Sequence, residues 1–308
     1  MSDYIRWNSQ PLDSWASKYA KGKFVDLDGK KTHYIEKGEG EPVILLHGFF
    51  YDSYLWEENI NFLAQKFKVY ALDLWGCGYS TRDPLDYSYQ LYTNQLLLFM
   101  NYLGLERASL VGQSMGGGTA MMFCLQHRHR VNKLLLVDPA GLPNSLPLAA
   151  KFVNLPRVGE FFMGLSVDAL RRDTLSDIFI HNKELVTDEY FENVTRFHKV
   201  NGTVESILSI QRENFFDTLS DEINRLADVD VEILIVWGRE DKGIPLSRGQ
   251  EMHRILKHSR LVIIDNAGHV PNFECSGEFN RIAVEFLCET VGNGINKSAQ
   301  FEEVAAGV

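Results

Sequence analysis

Short runs dominated by apolar residues recur along the chain: PVILLHG from Pro42, KVYALDL from Lys68, ASLVG from Ala108, VNKLLLVD from Val131, VEILIVWG from Val231 and RLVIID from Arg260. A strand buried on both faces reads this way, because neither side can carry polar residues. Between the runs lie segments with helical spacing, over Trp56–Lys66, Tyr89–Leu103, Ser114–Gln126, Leu246–Leu256 and Ser276–Glu289. That spacing predicts helices. Upstream, KFVDLDGKKTHYIEKG holds two alternating runs joined at Asp28-Gly29, the signature of a hairpin. Strands alternating with helices predict an α/β fold, a mostly parallel sheet with helices on both faces and the hairpin as antiparallel strands at one edge.

One interval breaks the rhythm. From about Leu142 to Leu226 no strand-like run occurs, and amphipathic, aromatic-rich stretches take over: FFMG at Phe161, DIFIH at Asp177, EYFENVTRFHKV at Glu189 and ENFFDTL at Glu213. Residues 142–226 are therefore expected to form a helical lid inserted into a core of residues 1–141 and 227–291. Insertions over the carboxyl ends of strands are where α/β proteins bind ligands. The tail from Gly292 to Val308 has no apolar periodicity and is expected to be disordered.

Composition narrows the partners. The 308 residues carry 31 Lys and Arg against 41 Asp and Glu, a net charge of −10 with no basic block. Such a surface repels phosphate backbones and anionic lipid, so neither nucleic acid nor a membrane is expected as a partner. The N-terminus, MSDYIRWNSQPLDSW, lacks a basic region followed by an apolar stretch, and no apolar run reaches the length of a bilayer span. The four cysteines, Cys77, Cys124, Cys275 and Cys288, form no Cys-x-x-Cys pair. Free thiols in a reducing, cytoplasmic compartment follow, with no metal site or disulfide framework.

Candidate chemistry centres on LERASLVGQSMGGGTAMMFC. Gly112-Gln113-Ser114-Met115-Gly116 fits Gly-x-Ser-x-Gly between a strand run and a helix run. In a nucleophile elbow the turn is so sharp that flanking side chains would strike the neighbouring strand and helix, and the serine stands at a helix N-terminus. The spacing does not match a dinucleotide fingerprint or a P-loop. A serine needs a base, and the base needs an orienting acid, which in this topology follow in the order Ser, acid, His. Of nine histidines, His269, in IIDNAGHVPNFE past the last strand run, points to the sheet's carboxyl edge as the base, while His47 with Gly48 ends the strand run before the oxyanion loop. His33, His127, His129, His181, His198, His253 and His258 read as surface or packing residues. The acid is Asp241, in IVWGREDKGIP, with Asp138 at the end of the preceding strand and the adjacent Glu240 as alternatives. The oxyanion hole calls for two backbone N–H donors, those of Met115 and, after VILLHGFF, Phe49.

Together LLHGFF, DLWGCGYS, GQSMGG, WGREDKGIP and AGHVPNFE, in that order from about Pro42 to Phe286, resemble the α/β-hydrolase superfamily. The resemblance implies an eight-stranded sheet, a cap inserted after the sixth strand, and a triad of Ser114, Asp241 and His269. DSYLW at Asp52 resembles haloalkane dehalogenases and epoxide hydrolases, but those carry Asp where Ser114 stands, so acyl transfer is expected instead. GQSMGGGTAMMF and VDPAGL resemble carbon–carbon hydrolases of ring-fission diketones as well as general carboxylesterases. The carbon–carbon hydrolases usually show Asn at Gln113 and Trp at Val270, and hold a substrate carboxylate with a cap Arg, for which Arg171, Arg172 and Arg196 are all available. The two departures favour a serine carboxylesterase acting through an acyl-enzyme on small to medium apolar acyl esters. A carbon–carbon hydrolase, a lactonase, a perhydrolase, a thioesterase or an acyltransferase are the alternatives. The expected partner is a small-molecule ester, bound by a monomer or homodimer without cofactor or metal.

Overall fold

Eight strands make one sheet: β1 (Lys23–Leu27), β2 (Lys30–Lys37), β3 (Pro42–Leu46), β4 (Lys68–Leu72), β5 (Ala108–Gln113), β6 (Val131–Val137), β7 (Glu232–Gly238) and β8 (Arg260–Ile264). Their spatial order is β1-β2-β4-β3-β5-β6-β7-β8. β1 with β2 and β2 with β4 run antiparallel, and every other pair is parallel, as the hairpin and the alternating pattern predict. The computed structural model describes residues 5–144, 153–164, 168–213 and 219–289. The predicted tail and most of ENFFDTL lie outside the described residues.

The central strands bury both faces. Ile44, Leu46, Leu110, Leu134, Leu136 and Ile235 pack into one apolar cluster. Their neighbours Val43, Leu45, Val111, Leu135, Leu234 and Val236 pack into the other. Side chains that alternate between two apolar layers explain why the runs read as continuously hydrophobic. Helices predicted from spacing form at Glu57–Leu63, Tyr89–Tyr102, Met115–Gln126, Leu246–Ile255 and Ser276–Cys288. The first starts later than expected, because Ser53–Trp56 is a 3-10 turn whose entry is held by Asp52 Oδ1 accepting from Tyr54 N at 3.0 Å.

Between β6 and β7 the described residues form helices and no strand, at Val158–Gly164, Asp168–Thr174, Asp188–Thr195, Thr203–Arg212 and Ser220–Leu226. A helix the sequence reading missed, Leu12–Tyr19, packs on this segment: Trp15 Nε1 donates to Arg196 O at 2.9 Å, and Trp7 Nε1 to Asp168 at 2.7 Å. All four cysteines are free thiols. No described helix is long and apolar enough to cross a membrane.

Register places the site. Leu46 pairs with Gly112, Gln113 with Val137, Val137 with Val236 and Gly238 with Ile264. The carboxyl ends of β3, β5, β6, β7 and β8 thus come level, and the residues that follow them emerge along one edge.

Candidate active site

Ser114 follows β5 directly and sits at φ 51, ψ −117. A non-glycine residue there is strained, at a cost on the order of 1–3 kcal/mol, and persists only where its surroundings hold it. They do: its N–H donates to Val137 O at 2.9 Å, and its carbonyl accepts from Ala140 N at 3.0 Å and Gly117 N at 2.9 Å. The flanking glycines are sterically required. A Cβ on Gly112 would stand 2.6 Å from Gly117 N, and one on Gly116 would stand 2.7 Å from His47 O. Met115 opens the helix Met115–Gln126, so its amide has no acceptor within that helix. Phe49 follows Gly48, and a Cβ on Gly48 would stand 2.9 Å from the Ser114 Cβ, which brings the loop after β3 onto the serine. His47 fixes that loop, bonding Gly48 O through Nδ1 at 2.8 Å and accepting from Leu74 N at Nε2 at 3.0 Å. Burial holds its ring below the usual histidine range, so it stays neutral and can accept there.

Asp241 and His269 are brought together. His269 Nδ1 lies 2.7 Å from Asp241 Oδ2, and both residues are buried. Asp241 Oδ1 accepts from Gly243 N at 2.7 Å and Ile244 N at 2.9 Å, so backbone fixes the carboxylate while one oxygen faces the ring. The nucleophile strand reaches the same place: Gln113 Nε2 donates to His269 O at 2.8 Å. Glu240 turns away, accepting from Ala267 N at 3.1 Å. Asp138 stays close, its carboxyl clustered with Asp241 and His269.

The segment between β6 and β7 lies against this edge. His269 N donates to Phe179 O at 2.7 Å, and the two rings stack at 5.4 Å. Of the three candidate arginines, Arg172 pairs with Asp188 at 2.8 Å, and Arg196 lies over Tyr19 at 4.9 Å. Arg171 is different. It is buried, stands 4.6 Å from the Phe50 ring and 5.7 Å from the Phe179 ring, and donates from Nη2 to Phe50 O at 3.0 Å. Its Nε and Nη1 have no partner among the described residues. His198, which reads from sequence as a packing or surface residue, is also fully buried, its ring 6.2 Å from Phe50 and both ring nitrogens without a partner among the described residues. Burial and the charges of Arg171, Lys199 and Arg82 hold it well below the usual histidine range, hence neutral. Spacing alone gave no signal for either; only their burial singles them out.

Phe161 and Phe162 face outward, 64% and 51% exposed. Trp75 is a core residue whose Nε1 donates to Thr32 Oγ1 at 2.8 Å. A cavity of about 260 Å³ does open beside the elbow helix, walled by Tyr87, Tyr92, Met115, Ile210 and Leu219. The DSYLW and DLWGCGYS motifs are structural: buried Asp73 accepts from Ser53 N and Tyr79 N, both at 2.8 Å, and pairs with His33 at 2.7 Å.

Comparison with known proteins agrees with this geometry. Residues 41–275 match the family model described as the alpha/beta hydrolase fold. The chain is 31% identical over 285 residues to a 2-hydroxy-6-oxo-6-phenylhexa-2,4-dienoate hydrolase of Comamonas testosteroni, covering 88% of this chain and 96% of that one. It is 28% identical to a 2-hydroxy-6-oxononadienedioate/2-hydroxy-6-oxononatrienedioate hydrolase of the same organism, over 91% and 99% of the two chains. Among solved structures, a meta-cleavage product hydrolase from Pseudomonas fluorescens superposes with a TM-score of 0.75 at 29% identity, covering 86% of this chain and 97% of that one. The chain is a hydrolase and belongs to the α/β-hydrolase fold family.

Proposed function

We propose that this hydrolase cleaves a carbon–carbon bond in 2-hydroxy-6-oxo-dienoic acids, the compounds for which its relatives are named, through a serine nucleophile. Ser114 attacks the 6-oxo carbon while His269 takes its proton. Asp241 holds the imidazole tautomer and balances the imidazolium. The N–H groups of Met115 and Phe49 receive the oxyanion. In the 2,6-dioxo tautomer, reached by moving the proton of the 2-hydroxy group to carbon 5, the bond between carbons 5 and 6 breaks, its electron pair passes along the conjugated chain to the oxygen on carbon 2, and that oxygen takes the proton held by His269. Water then hydrolyses the acyl-enzyme. No metal or organic cofactor enters, and residues 142–226 serve as the cap.

The observation that carries this reading is the buried Arg171 guanidinium, with Nε and Nη1 unpartnered among the described residues, beside the ring that stacks on His269. A buried cation is costly unless an anion meets it. The substrates named for the relatives carry a carboxylate next to carbon 2, and a planar fork suits a carboxylate in two-point contact. His198 offers a further neutral ring nitrogen nearby. The cavity beside Met115 takes the apolar end of the molecule.

Ester hydrolysis is the second reading. Val270, buried directly after His269, stands where the resembling carbon–carbon hydrolases usually carry Trp, and the same triad would open an ester. Steady-state rates on 2-hydroxy-6-oxo-6-phenylhexa-2,4-dienoate and on p-nitrophenyl butyrate separate the two. A higher kcat/KM on the dienoate supports the first reading; a higher value on the ester overturns it in favour of the second.

A further inference from the structure

The sequence offers Asp138 and Asp241 as competing acids, and the fold puts both at the same site. Asp138 ends the run that forms β6 and is held at φ 41, another strained non-glycine position beside the serine. Its N–H donates to Val236 O at 3.0 Å, and its Oδ1 accepts from Gly238 N at 3.0 Å. Its Oδ2 is buried and accepts no bond from any donor among the described residues. Ligand atoms of Asp138, Asp241 and His269 all lie within 4.8 Å of one another, which sets the two carboxyls side by side.

Two buried carboxyls this close cannot both ionise without a cation between them. The groups facing Asp138 are Asp241 on the loop after β7 and, farther off, Glu274 on the helix Pro271–Glu274; both are acidic. His269, on the loop after β8, is spoken for by Asp241. Of the two acids, Asp241 has the better claim to the charge, with two backbone N–H groups and the ring Nδ1 on its oxygens, against one N–H for Asp138. Burial, and next the charge of Asp241, push the Asp138 carboxyl well above the usual range.

We infer that Asp138 is a positioning residue of this site: it keeps its proton in the resting enzyme and donates it in a hydrogen bond to the Asp241 carboxylate, forming an acid–carboxylate pair behind His269. The inference rests on the triad reading of Ser114, Asp241 and His269. The proton stays on Asp138 throughout, so the pair carries one negative charge before and after His269 becomes an imidazolium. The donated bond draws charge from Asp241 and holds the carboxylate in place behind the ring.

The test compares Asp138→Ala with Asp138→Asn in the full chain, following kcat/KM against pH. Asp138→Ala removes the donor and is expected to lower kcat/KM about 10-fold, the worth of a hydrogen bond to a charged group. It should also move the acid limb to higher pH, because an unrestrained Asp241 holds the imidazolium more tightly. Asp138→Asn can donate the same bond through its amide, so it should recover kcat/KM to within roughly 3-fold of the parent and return the acid limb to its place. An acid limb displaced to lower pH in Asp138→Asn would mean that Asp138 is ionised, and would overturn the inference. So would an Asp138→Ala enzyme equal to the parent, or an Asp138→Asn enzyme as impaired as Asp138→Ala. Should Asp138→Ala fail to fold, infrared difference spectra decide. Because buried Asp52, pushed up to about 8, also keeps its proton at neutral pH, the band is read as a difference: parent minus Asp138→Asn must show a protonated-carboxyl stretch, and its absence overturns the inference. Turnover retained by Ser114→Ala would instead sink the triad reading and leave the infrared result standing.

Discussion

Asp241 and Arg171 are both buried charged residues at the sheet's carboxyl edge, yet their surroundings are opposite. Asp241 has both oxygens bound, by Gly243 N, Ile244 N and His269 Nδ1. Arg171 spends one nitrogen on Phe50 O and leaves Nε and Nη1 without a partner among the described residues. The reacting end of the site is pre-organised by the protein itself, as a group that must hold one geometry through each turnover needs to be. The end contributed by the segment between β6 and β7 presents a cation that no described residue pairs. Under the proposed function the contrast separates two jobs: strand ends set the chemistry, and the helices between β6 and β7 set what is recognised.

The largest effect should come from the reacting end. Ser114→Ala is expected to lower kcat by roughly 10⁴-fold or more on either substrate, with an unchanged circular dichroism spectrum. Turnover within about 10-fold of the parent would remove Ser114 from the mechanism.

A much smaller effect is expected for stability at the acid pair. An unfolded Asp releases its proton near about pH 3.9. Asp138 is raised in the fold by burial and by Asp241, so above that pH the native state binds one more proton than the unfolded state. Stability then falls with rising pH until the folded value is reached, with a slope of about 1.4 kcal/mol per pH unit. Asp138→Asn removes the titrating group, so its Tm advantage over the parent should widen as pH rises above about 5, by about 2 °C or more per pH unit. Melting curves at several pH values check this, and a constant difference would contradict it.

Much of the reacting end was legible in sequence, because steric and topological rules act locally there. Gly112 and Gly116 announce a turn in which a Cβ would meet backbone. Asp241 and His269 announce themselves by following strand runs. The sequence favours Asp241 over Glu240, and the loop's course agrees, turning Asp241 to the His269 ring and Glu240 to Ala267 N. The recognition end was hardly legible. Arg171 and Arg172 are neighbours in DALRRDT, and one is buried while the other pairs with Asp188 at the surface. No periodicity distinguishes them, because the helix docks through tertiary contacts. His198 and the helix Leu12–Tyr19 were missed for the same reason: Asn8 N donates to His198 O at 2.9 Å across most of the chain's length. Aromatic richness did not tell buried from exposed rings in the insertion either: Phe161 and Phe162 pack edge to face on the surface at 5.5 Å.

The claim that the inserted helices recognise a carboxylate is tested most directly by Arg171→Met, assayed on the dienoate and on an uncharged p-nitrophenyl ester. Removing an unpaired buried cation is expected to leave stability unchanged or improved. The account predicts that kcat/KM on the dienoate falls about 10- to 100-fold, through the loss of a charged hydrogen-bonded pair, while kcat/KM on the ester stays within about 3-fold of the parent. An equal loss on both substrates, or no loss on the dienoate, would contradict it.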